Sequence, residues 1–213
     1  MKKIASISLI FVALLALQSQ ALTRVPGSIT MIDFHTGWSS PFGSYSGIGP
    51  QPLDEAFSVP ASDLYDPTFH FGVNVGQLSA SRMYFGLGLQ YTKIDIDEKN
   101  FTITPSDMTF HQWDFNVDMN FYPVSPQFES VTPYVGPGLS FGLTTQRAPG
   151  YRSQSQFNLG LNANFGVDVK IWQAPDKRSL ITLSSINSWT VVSGGDRPRY
   201  LNIGGGLRYF FRP

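Results

Sequence analysis

Residues Trp113 to Phe121 read WDFNVDMNF. Trp113, Phe115, Val117, Met119 and Phe121 fall in one row; Asp114, Asn116, Asp118 and Asn120 fall in the other. Chance produces nine residues in strict alternation at on the order of 10⁻³ of sites at this apolar content, so the pattern reports structure. A period of two is that of a β-strand with one apolar and one polar face.

The same pattern recurs along the chain. It predicts strands at about 28–38, 68–77, 84–92, 110–122, 133–143, 157–169, 179–190 and 200–211. The 157–169 segment, FNLGLNANFGVDV, is the longest alternation. Pro137 interrupts the 133–143 strand because proline has no N–H for the ladder, so a bulge or weakened pairing is expected there. The 179–190 strand is the least regular: Ile181 and Leu183 start one register, and Ser184-Ser185 blurs it, as a bulge would. Connectors alternate in length. Long segments at 39–67, 95–109, 145–154 and 191–198 trade with short ones at 78–82, 123–131 and 171–178. An even number of strands with longer connectors on one side predicts an all-β, eight-stranded antiparallel up-and-down transmembrane barrel.

The chain begins like an exported protein. Lys2 and Lys3 precede an uncharged, mostly apolar run from Ile4 to Leu17, and Ser19-Gln20-Ala21 has small residues where a signal peptidase cuts. This run is shorter than the roughly 20 residues of a membrane-spanning helix. A signal peptide over 1–21 and one barrel domain over 22–213 are expected. Of 15 basic and 15 acidic residues, Lys2 and Lys3 leave with the leader; a net charge of about −2 argues against nucleic-acid binding. There is no cysteine, hence no disulfide framework or thiolate metal site. Charged residues are 14% of the chain, against about 25% in soluble domains, while Phe, Tyr and Trp number 17, 9 and 4. An outer-membrane location follows, with both termini in the periplasm and the long connectors outside.

Two arguments orient the faces. The apolar rows hold more large side chains than an eight-stranded interior accommodates. The polar rows, rich in Gly, Asn and Ser, carry too few charges for an aqueous surface. The apolar rows therefore face lipid. Aromatics near the strand ends suggest interfacial girdles: Trp38, Tyr91, Trp113 and Trp189 on the long-loop side, Phe121, Tyr122, Tyr209 and Phe211 on the other.

TPYVGPGLSFG resembles a mid-barrel strand, and LNIGGGLRYFF the closing strand, of the small eight-stranded outer-membrane barrels: the OmpA transmembrane domain, OmpX and the opacity-type proteins, with OmpW more distant. The resemblance covers the whole mature chain as a pattern. It implies a porin-like barrel in contact with outer-membrane lipids and lipopolysaccharide, inserted by the barrel-assembly machinery, and expected to be a monomer.

Inward-facing ionisable residues are Asp33, His35, His70, Asp114, Asp118, Asp168, Lys170 and Arg208. They read as an ionic network filling a narrow lumen, since acidic groups need partners where water is scarce. Strand order brings Asp33 and Arg208 to similar depth near the periplasmic end, which predicts an ion pair. Some barrels of this kind act on lipid A. Deacylases use a His and a Ser two residues apart, and none of His35, His70 or His111 has such a Ser; palmitoyltransferases carry an N-terminal amphipathic helix that 22–27 cannot supply. No catalytic residue, cofactor or metal site is predicted. DIDEKN (95–100) lacks the central Gly and distal Glu of a Ca²⁺ loop. Arg147, Arg152, Arg197 and Arg199, in or beside the outer loops, are candidate contacts for lipopolysaccharide phosphates. The function expected is structural, adhesive or surface-interacting. An OmpW-like conduit for small hydrophobic molecules, with Pro137 marking a side port, is the alternative; a lipid A-modifying enzyme is a further one.

Overall fold

A computed structural model describes residues 28–42, 44–46, 58–60, 67–95, 109–147, 153–193 and 199–212. The signal peptide and most of the long connectors lie outside them. The described residues form ten strands: β1 (Ile29–Phe42), β2 (Ser44–Ser46), β3 (Ser58–Pro60), β4 (Thr68–Leu78), β5 (Met83–Asp95), β6 (Thr109–Phe121), β7 (Val131–Arg147), β8 (Gln154–Gln173), β9 (Ser179–Ser193) and β10 (Arg199–Phe211). Eight of them close an antiparallel barrel in the order β1-β10-β9-β8-β7-β6-β5-β4. β2 and β3 form a separate hairpin within the first long connector. The strand spacing predicts only a long connector there.

Closure is made by β1, which pairs with β4 on one side and β10 on the other. No sheet edge is left in the barrel, and in lipid an unpaired edge would leave backbone groups unsatisfied. The short connectors, 79–82, 122–130 and 174–178, lie at the same end as Ile29 and Phe211. Arg82 and Lys177 turn two of them with φ of 66° and 57°.

The outer surface carries the apolar rows. Phe34, Phe85, Val135, Leu161, Leu183 and Ile203 are all exposed. Rings contact one another around the long-connector end, with Trp38 and Phe69 centroids 4.1 Å apart and Tyr91 and Trp113 4.8 Å apart. At the opposite end Tyr209 stacks on Phe211 at 5.3 Å. Tyr122 is a correction to the girdle: it is fully buried in the lumen. It lies one residue beyond outward-facing Phe121, and the period of two turns it inward.

Pro137 produces no bulge. Its pairing with β8 at Ala163 is continuous. On the other side the ladder with β6 lapses between Asp118↔Gly138 and Phe121↔Val135, where proline has no N–H to give. β9 runs through Ser184-Ser185 in unbroken register with β10. The irregularities lie instead against β8, between Leu161 and Asn162 and between Lys170 and Trp172.

Candidate functional site: the barrel lumen

The polar rows converge on Arg208. Asp33 and Arg208 are direct cross-strand partners on β1 and β10. Arg208 Nε donates to Asp33 Oδ2 at 2.7 Å, and Nη1 donates to Asp168 Oδ1 on β8 at 3.0 Å. Nη1 also reaches the Tyr122 hydroxyl at 2.9 Å, and Nη2 the Tyr134 hydroxyl on β7 at 3.0 Å. The guanidinium carbon lies 4.4 Å from the Tyr134 ring centroid. A planar fork of donors suits this arrangement, because one head group can bind two carboxylates and still stack. Asp33, Asp168 and Arg208 are 0%, 1% and 2% exposed, so the charges are neutralised inside the barrel and not by water.

An apolar layer surrounds this hub. Met31, Tyr84, Tyr122, Tyr134, Leu180 and Phe210 are buried in the same cluster. Tyr122 stacks on Tyr134 at 5.4 Å. Tyr134 covers Gly166, where a Cβ would collide with the phenol, and Tyr84 covers Gly86 in the same way. Glycine in those rows is therefore room for a ring. Sequence reasoning missed this layer. Its signal was phase: each member is a large residue in the polar row of its strand.

The other predicted lumen residues are distributed along the axis. His35 Nδ1 donates to Asp33 Oδ1 at 2.6 Å. His70 donates from Nδ1 to Ser39 Oγ at 3.0 Å; Ser39 donates to Asn202 Oδ1 at 2.6 Å, and Asn202 to Ser188 Oγ at 2.9 Å. That chain joins four strands, and it commits the Ser39 proton to an amide. His35 and His70 meet only edge to face, with centroids 6.0 Å apart. Asp114 accepts from Gln112 Nε2 at 2.5 Å, and Asp118 from Asn164 Nδ2 at 2.7 Å. Lys170 stands at the short-connector mouth, donating to Gln127 O at 3.0 Å and Gln173 Oε1 at 3.2 Å. His111 points outward and meets the Tyr91 hydroxyl at 2.6 Å. Arg152 and Arg197 lie outside the described residues, as do the side chains of Arg147 and Arg199 at strand ends.

Beyond the hub the lumen holds a cavity of about 50 Å³, lined in part by Asn74, Asp114, Asn116, Asp118, Asn120 and Asn162. Among the described residues, buried oxygens without a partner include Asn74 Oδ1, Asn120 Oδ1 and Asn162 Oδ1. Such a space suits a few waters. The lumen is thus polar in its middle and closed by an ionic and aromatic layer at the short-connector end.

These features define the fold of a small outer-membrane β-barrel. The chain is similar in structure to outer membrane protein OprG of Pseudomonas aeruginosa, with TM-score 0.58 and 13% identity over 87% of this chain and 97% of that one. It is also similar to Neisserial surface protein A (TM-score 0.49, 15% identity, 85% and 96% covered). The N-terminal β-barrel domain of Pseudomonas aeruginosa OprF gives TM-score 0.48 and 12% identity, with 86% and 97% covered. No protein-family model and no curated protein sequence matches the chain.

Proposed function

We propose that this protein is a non-enzymatic barrel of the bacterial outer membrane that holds its long connectors at the cell surface for adhesion or another surface interaction. The observation that carries the reading is the sealed lumen: Arg208 clamps β1 and β8 through Asp33 and Asp168 amid buried aromatic rings. A barrel filled this way offers an anchor and not a pore. The apolar rows supply the lipid contact, and Arg147, Arg152, Arg197 and Arg199, which the sequence puts in or beside the long connectors, are the proposed contacts for lipopolysaccharide phosphates. Signal-led export, insertion by the barrel-assembly machinery and periplasmic termini complete the reading. The hydroxyl of Ser39 is already spent on Asn202, which disfavours a Ser–His catalytic pair in the lumen.

The lapse in the ladder beside Pro137 keeps the conduit reading as a second one, since Asn120 borders both the lapse and the cavity. The cavity wall is mostly polar, with carboxamides and carboxylates outnumbering Met31, Tyr84, Tyr134 and Ile186, which suits a hydrophobic passenger poorly.

Planar-bilayer recordings and cell-binding assays test the proposal together. The purified barrel is expected to give no steady conductance, and replacing the long connectors with short turns should abolish surface binding while the barrel still folds. Steady conductance, uptake of apolar solutes into vesicles, or altered lipid A mass in expressing cells would each overturn it.

A further inference from the structure

The polar row of β6 alternates carboxylate and carboxamide: Asp114, Asn116, Asp118 and Asn120. All four line the cavity beyond the hub, together with Asn74 of β4 and Asn162 of β8. Glycines let the neighbouring side chains fold onto this row. Asn74 Oδ1 takes the space that a Cβ on Gly88 would need, and Gly88 is the direct partner of Asn116. Asp118 Oδ1 lies over Gly138 in the same way, and Gly138 is the direct partner of Asn162. Side chains from three strands that do not pair with one another thus make one contiguous wall.

Acceptors are in excess on this wall. Asn120 is 4% exposed, and among the described residues its Oδ1 has no donor; Asn74 Oδ1 and Asn162 Oδ1 are buried without one as well. Asp118 accepts from Asn164 alone among the described residues. Negative charge is in excess too. Arg208 is already shared between Asp33 and Asp168, and Lys170 is turned to Gln127 and Gln173 at the short-connector mouth. Carboxylates held away from water call for an opposite charge. Among the described residues no three His, Asp or Glu side chains gather to hold a metal ion, so ligands here are mainly carboxamide oxygens. Hard cations take such oxygens together with carboxylates.

We infer that this wall binds a hard divalent cation of the Ca²⁺ type inside the barrel. The Asn74, Asn120 and Asn162 oxygens and the Asp118 carboxylate are its ligands, and Asp114 in the same row balances the second charge. Water completes the roughly six to eight oxygens that Ca²⁺ takes. An irregular set of this kind suits Ca²⁺ better than Mg²⁺, which demands a smaller and stricter octahedron. The ion would join β4, β6 and β8 across the lumen. The Arg208 hub closes the short-connector end, so the ion enters from the long-connector end and does not cross the barrel. Sequence reading predicts no metal site because carboxamides, not His or a cluster of acids, supply most of the ligands.

The test titrates CaCl₂ into full-length mature protein, refolded in detergent micelles and stripped with a chelator, by isothermal titration calorimetry. Asp118→Asn and Asn162→Ala are titrated in the same way. Wild type is expected to bind with a Kd on the order of 10⁻⁴–10⁻³ M, as weakly charged sites do. Each variant should bind about tenfold or more weakly. Ca²⁺ should also raise the urea midpoint of wild type and leave that of the variants unmoved, because a ligand held only by the folded state stabilises it. No binding by wild type well above that concentration range overturns the inference. Binding at wild-type strength by either variant overturns it too, since the ion would then sit elsewhere, for instance on the acidic outer loops. Asn162→Ala keeps every charge, so it decides the matter if Asp118→Asn does not fold.

Discussion

Arg208 is the residue on which β1, β7, β8 and the end of β6 converge. Its removal leaves Asp33 and Asp168 buried without a cation, a loss of about 3–5 kcal/mol in comparable settings. Arg208→Met is therefore expected to lower the stability of the refolded barrel by that amount, read as a urea titration in vesicles. Asp33→Asn should cost less, because Arg208 keeps Asp168 at 3.0 Å. The double variant should fall short of the sum, with a coupling of about 0.5–3 kcal/mol between the two sites; a coupling of zero would show that the pair at 2.7 Å contributes nothing. The neighbourhood of Asp33 and Arg208 was legible in the sequence, because strand order makes β1 and β10 neighbours and distance from the chain ends sets depth. Tyr122 and Tyr134 were not read as partners. Tyrosine suits both an interfacial girdle and a buried hydrogen bond, and only the phase of the alternation separates the two.

A strand's two faces should respond differently to substitution. Leu161 is 47% exposed at mid-strand in β8, opposite Leu139. Leu161→Arg is expected to destabilise by roughly 2–4 kcal/mol, whereas Asn162→Ala, in a cavity with an unpartnered oxygen, should cost much less. The reverse order in a vesicle titration would invert the assigned faces. The turn between β8 and β9 offers a second comparison. Lys177 adopts φ 57°, a left-handed conformation that costs non-glycine residues about 1–2 kcal/mol. Lys177→Gly should thus stabilise by up to about 1 kcal/mol, after allowing for the chain entropy that glycine adds, while Arg178→Gly should not. Strand identity was legible because two-residue periodicity survives at each strand centre. The β2–β3 hairpin was not, because it is three residues on each side and too short to display a period. The irregularities between β8 and β9 were placed at Ser184-Ser185 for a similar reason: small polar residues blur an alternation without bending a strand. In the structure those residues keep the register with β10.

For the whole molecule, the outer-membrane placement proposed above leaves connectivity one choice, which end faces the periplasm. An even strand number puts both ends of the barrel on one side, and pairing of Thr30 with Phe211 shows them together. The three short connectors share that side. Chains delivered by a signal peptide reach the outer membrane from the periplasm, and in barrels of this architecture the longer loops are the ones carried across. The 43–67 connector, with its β2–β3 hairpin, is accordingly expected outside, and the turns around Ser81 and Pro126 inside. Protease added to intact cells should cleave between Gly43 and Pro67 and leave the barrel otherwise whole, giving two fragments that remain associated until the sheet is denatured. After the outer membrane is permeabilised, the exposed turn carrying Phe128, which is 77% exposed, should become the next site of attack. Cleavage near Phe128 in intact cells, with the 43–67 connector spared, would place the barrel in the membrane the other way up.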